Sequence, residues 1–160
     1  GMPEPSDTVA VGVCTVGDAL EGECHRLTAA GELLDALLLD AFGSSAAEAA
    51  ADALNVELCR ELTREGRHPA PRMSPGYGRW DVRGQRELLA LLPAAELGIR
   101  LTDGLMMVPR KSVSFAVRLQ PRPPSGGSAG GARGGARRCA LCEMEDCAYR
   151  RPTDGGRQEP

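Results

Sequence analysis

At residue 120 this 160-residue sequence changes character. Residues 121–136 read PRPPSGGSAGGARGGA, a run of Pro, Gly, Ser, Ala and Arg with almost no apolar surface to bury. Such a run cannot offset the entropy of ordering its backbone, so it reads as a flexible linker. Residues 1–120 mix 12 basic and 17 acidic side chains with Leu, Ala and Val, whereas residues 121–160 carry 7 basic and 5 acidic ones. A folded unit is therefore expected within residues 7–120, a linker over 121–136 and a short cysteine-bearing tail over 137–160.

Composition removes several function classes. Aromatics number five (Phe42, Tyr77, Trp80, Phe115 and Tyr149), too few for a stacking platform on single-stranded nucleic acid. A net charge of −3 lacks the basic excess of a phosphate-backbone binder. No apolar run approaches the roughly 20 residues of a membrane span, and no basic-then-apolar segment stands near the start. These features predict a cytoplasmic protein that partners neither nucleic acid nor membrane.

Within the folded unit, Thr8 to Val16 is β-branched and closed by Gly17, which predicts a strand. Asp18 is placed to cap a helix running from Ala19 to Leu39, interrupted at Gly31. Leu33, Leu34, Leu37 and Leu38 keep helical spacing on one face. Gly43 and Ser44 read as a stop and a fresh N-cap, with a long helix from Ala46 to Glu65 ended by Gly66. Its many alanines leave a slim face for close packing. Residues 67–81, rich in Pro and Gly, predict a shaped loop, followed by a helix over Val82–Leu92 and strands at Gly98–Thr102 and Ser112–Leu119. Helices grouped between a first strand and two last strands predict an α+β fold with an antiparallel sheet packed against helices.

Candidate chemistry concentrates in that loop. Arg72 carries a planar fork suited to a carboxylate or phosphate. Pro75 and Gly76 shape a bare backbone that a ligand can approach. Tyr77 and Trp80 place two of the five aromatics beside it, although two rings plugging a core would look the same. His25 and His68 sit in no nucleophile or base motif, and His25 reads as a helix-surface residue. No Walker loop or dinucleotide fingerprint is present. Glu48 and Asp52, at i and i+4, share a helix face and read by default as solvated acids. In the tail, Cys139, Cys142 and Cys147 form C-x2-C-x4-C, a density that suits zinc or an iron–sulfur cluster if Cys14, Cys24, Cys59 or a partner adds a fourth ligand.

The strings RMSPGYGRWDVRGQRELLALL and LGIRLTDGLMMVPRKSVS resemble the activation domain of cobalamin-dependent methionine synthase, most closely its short stand-alone relatives. The resemblance rests on Arg72, Pro75, Gly76 and Tyr77 for the R-x-x-P-G-Y loop. It continues through Met107, Pro109, Ser112, Val113 and Ser114 for M-x-P-x-x-S-V-S. The helix string GSSAAEAAADAL and the tail cysteines followed by Tyr149 and Arg150 also fit.

The resemblance implies an S-adenosylmethionine-binding module. It would support reductive methylation of cobalamin carried by a corrinoid protein or methyltransferase partner, with an electron donor such as flavodoxin. Carried over, Arg72 would grip the ligand's carboxylate, Pro75 and Gly76 would offer backbone contacts, and Tyr77 would face the cobalt side. Glu48 would hold the amino group or sulfonium. The family's early tryptophan-threonine-proline-phenylalanine stretch, with its acid, has no counterpart here. Val117 and Arg118 replace an aromatic pair, and Gly78, Arg79 and Trp80 stand where proline-alanine-cysteine would follow the loop. The modules that bind homocysteine, folate and cobalamin are absent, so the expected role is at most the reactivation component of a methyltransferase. The alternative is an interaction scaffold without a ligand site, whose cysteine tail holds zinc or an iron–sulfur cluster.

Overall fold

The Val/Thr-rich segment near the start forms β1 (Val9–Thr15). It pairs antiparallel along its whole length with β5 (Ser112–Gln120), the second β-branched run, in a register that sets Gly12 opposite Phe115. The computed structural model describes residues 8–120. The short β2 (His68–Pro69) adds to the other side of β5, giving the strand order β1-β5-β2. The edge continues past β2: Ala70 N donates to Arg118 O at 2.8 Å, and Met73 and Ala116 exchange backbone hydrogen bonds of 2.8 and 2.9 Å. β5 is therefore central, and Phe115 and Val117 are fully buried.

Alternation along β1 and β5 sends side chains to two faces. Cys14, Val113, Phe115 and Val117 face the long helix, where they meet Leu58, Cys59 and Ala51. Val11, Val13 and Ala116 face a second layer. That layer holds α3 (Gly84–Ala90), a short 3-10 turn (Ala94–Leu97) and Ile99, and Trp80 packs against it. β3 (Arg100–Leu101) and β4 (Met107–Val108) form a separate small antiparallel pair. The α+β class with an antiparallel sheet is as the sequence predicts.

Two boundaries differ. α1 (Ala19–Ala29) ends before Gly31, as expected, although Asp18 at its N-cap makes no side-chain capping bond. α2 then runs unbroken from Leu33 to Arg64, 32 residues, straight through the stop expected at Gly43 and Ser44. The physical reason is contact with α1. A Cβ at Gly43 would stand 2.7 Å from the end of the Leu20 side chain, so the glycine admits a neighbouring helix rather than ending its own. The expected strand at Gly98–Thr102 shrinks to the two residues of β3, which pair with β4 and not with the main sheet.

The turn before β5 is tied down by charge. Lys111, buried, donates to Asp40 at 2.7 Å and to Ser44 at 2.9 Å on α2. The Lys111 hydrogen bond holds the Asp40 carboxyl below its usual range. Glu21 of α1 accepts from the backbone N–H groups of Arg110 and Lys111. Ser112 Oγ donates to Pro109 O at 2.6 Å, and Ser114 Oγ bonds Gln85 at 3.3 Å. The serines of the S-V-S string thus fasten β5 at its entry and to α3.

Candidate functional site

Arg72 lies within the edge that pairs with β5, between Ala70 and Met73, and its side chain turns toward α2. Nη2 donates to Glu48 at 2.7 Å and to Asp52 at 3.0 Å, and Nε donates to Asp52 at 3.2 Å. The guanidinium carbon lies 5.6 Å from the Phe115 ring centroid, within cation–π range. The arginine side chain is 5% exposed, while those of Glu48 and Asp52 are each 50% exposed. Burial works against the charge on Arg72, but the hydrogen bonds it donates to Glu48 and Asp52 outweigh that and its pKa rises. The site is a fixed cation below two acids that still reach solvent.

Glu48 and Asp52 are therefore not merely a solvated face. Their i, i+4 spacing aims both at the same arginine. A sequence signal existed in the spacing, but nothing in it named Arg72, 20 and 24 residues away, as the partner.

The loop beyond Arg72 separates its two aromatics. Pro75 is buried, and Gly76 turns the chain at a φ of +86°, its N–H donating to Trp80 O at 2.8 Å. Tyr77, at the tip, is 71% exposed. Trp80 folds inward against the core and α3, so close that a Cβ at Gly84 would meet its Nε1 at 2.3 Å. Only Tyr77 is presented outward. Asp81 closes the loop: hydrogen bonds from the Arg83 side chain and backbone hold its pKa down to about 2. Arg72, Glu48, Pro75, Gly76 and Tyr77 thus lie on one helix and one loop that meet at the Arg72 ion pairs.

Other candidates stand apart. His25 is exposed on α1, as expected. Burial pushes the thiols of Cys14 and Cys59 up. Among the described residues no group of three or more His, Cys, Asp and Glu side chains is placed to hold a metal ion. Cys139, Cys142 and Cys147 lie outside the described residues. Val117, one of the two residues that stand in place of an aromatic pair, is fully buried against α2.

Residues 2–123 match the family described as the vitamin B12 dependent methionine synthase, activation domain. The chain belongs to this family. Among solved structures it is similar to the one titled "Crystal Structure of the MetH Reactivation Domain bound to AdoHcy", with a TM-score of 0.61 and 22% sequence identity. The likeness covers 76% of this chain and 41% of that one, so the activation-domain fold here spans less than half of its structural neighbour. No curated protein matches. No helix among the described residues is long and apolar enough to cross a membrane.

Proposed function

We propose that this activation-domain chain binds S-adenosylmethionine beside the Arg72–Tyr77 loop and presents its methyl group to cobalamin carried by a partner module. The observation that carries the reading is the Arg72–Glu48–Asp52 cluster under an open, glycine-turned loop. The ligand's chemistry suits that donor set. Its amino acid end bears a carboxylate and an ammonium, and its centre bears a sulfonium. Arg72 spends Nε and Nη2 on α2, so the Nη1 edge of the fork is the part that addresses a carboxylate. Glu48 and Asp52, half exposed, offer negative charge to the ammonium or sulfonium without releasing Arg72.

Pre-organisation is the chain's contribution to the chemistry. Arg72 is held on two sides and over a ring, so little rotamer entropy remains to be lost on binding. Gly76 lets the ligand come close to bare backbone, and the exposed Tyr77 ring meets the face of the partner's cofactor. A partner's cobalamin, once reduced by a separate donor such as flavodoxin, would supply the nucleophile whose electron pair bonds the methyl carbon; the C–S bonding pair would stay on sulfur and S-adenosylhomocysteine would leave.

The test is reconstitution. Oxidised cobalamin-loaded methyltransferase modules lacking their own activation domain are mixed with this chain, S-adenosylmethionine and a low-potential reductant. The account expects the absorbance of the methylated cofactor to appear only when all components are present. Equal conversion without the chain overturns the proposal.

A further inference from the structure

We propose that the first three turns of α2 form the interface through which two copies of this chain pair, helix against helix and antiparallel. α2 buries Ala36, Gly43, Ala47, Ala51, Asn55 and Cys59 on its inner side. Leu33, Leu34, Leu37, Leu38 and Phe42 are nonetheless 58–67% exposed. Ala36 faces inward and Asp40 pairs with Lys111, so apart from Asp35 the outward side of Leu33–Phe42 is apolar. A helix segment of that kind is ordinarily covered. Past Phe42 the outer positions turn polar or small, with Ser44, Ser45, Glu48 and Ala49, so the patch has a defined end.

Area and charge choose the occupant. The five side chains are 58–67% exposed, roughly 100 Å² each, so a pair of copies that covered them fully would bury about 1,000 Å², the lower edge of a specific interface. A membrane surface or a nucleic acid would want an excess of lysines and arginines around the patch, and its rim instead sets Glu21, Asp35 and Asp40 against Arg110. A second copy suits the patch in one orientation. With the two-fold axis at Leu38, Leu38 meets its own counterpart and Leu34 lies level with Phe42 of the other copy. The patch's exposed acid, Asp35, then stands six residues along the axis from its counterpart, about 9 Å, where like charges are largely screened. Parallel pairing would set Asp35 directly beside itself. Antiparallel helices also oppose their dipoles favourably.

The test is the molar mass of the full chain in solution by sedimentation or light scattering, beside Leu34→Asp/Leu38→Asp and, separately, Phe42→Ser. Both variants change side chains that are already exposed, so circular dichroism should match the parent. The proposal expects a concentration-dependent dimer for the parent, dissociating in the micromolar range. It expects at least a tenfold weaker dimer for the double variant. A parent that stays monomeric at about 100 µM overturns it. So does a dimer indifferent to all three substitutions.

Discussion

The guanidinium of Arg72 rests 5.6 Å above the ring of Phe115, the largest fully buried side chain among the described residues. That relationship ties the candidate ligand site to the centre of the sheet. The same ring lies across Gly12 of β1, the acids of α2 close over the arginine, and the Pro75–Tyr77 turn follows it. Changes at the site will therefore be read in both binding and stability, in proportions the geometry sets.

Arg72→Ala leaves Glu48 and Asp52 half exposed to solvent, so it strands no fully buried charge. It loses a charge-assisted pair and a cation–π contact, and we expect about 1–3 kcal/mol of destabilisation in urea unfolding. Arg72→Lys should recover part of the stability but not ligand binding, because an ammonium cannot serve two acids and a third carboxylate with a planar fork.

Gly12→Ala and Gly43→Ala should part company. At Gly12 the new Cβ would sit 2.7 Å from the Phe115 ring, which is fully buried and held by Arg72 and α2, so about 1–3 kcal/mol of overpacking is expected. At Gly43 the collision, also at 2.7 Å, is with the flexible end of Leu20. Alanine there gains up to about 1 kcal/mol of helix propensity. Thermal unfolding of both variants should show a clear loss for the first and a change near zero for the second.

The loop's two rings predict different phenotypes. Tyr77→Ala should unfold like the parent, its side chain being mostly in solvent, yet impair methyl transfer in the reconstituted assay. Trp80→Ala should cost about 2–4 kcal/mol by emptying the space between the loop, Gly84 and the core. Equal stability losses in the two variants would contradict this division.

Acid should weaken the tie between α2 and the β5 turn. The Asp40 carboxyl is held below its ordinary value, so its contribution is present above the unfolded pKa, near 4, and fades as pH falls through the lower folded value. Asp40→Asn should therefore lower the urea midpoint at pH 7, with the gap from the parent closing toward pH 3. Because Asp40 is 45% exposed, added salt should shrink the gap as well.

Much of the fold was legible because local chemistry and tertiary packing agree there. β-branched runs gave β1 and β5, and Gly31 and Gly66 bounded helices as glycines with positive φ do. Gly43 misled because a helix-breaking glycine and a helix-contact glycine look alike until Leu20 is seen against it. The two-residue strands β2 and β4 exist through their partners and carry no pattern of their own, and β3 was legible only as a longer strand than the one that pairs. At the site, the loop announced itself through its arginine, proline and glycine, whereas the joining of Glu48 and Asp52 to Arg72 is a tertiary fact. The leucines of α2 kept helical spacing, but spacing alone does not say which faces a chain covers.

Whether the Arg72 cluster binds S-adenosylmethionine is decided by calorimetric titration of that ligand into the full chain. The account predicts a saturable heat for the parent and a loss of about 1.5–3 kcal/mol in binding for Arg72→Ala, at least tenfold in affinity. No saturable heat from the parent, alone and in the presence of a cobalamin-loaded partner module, would contradict it.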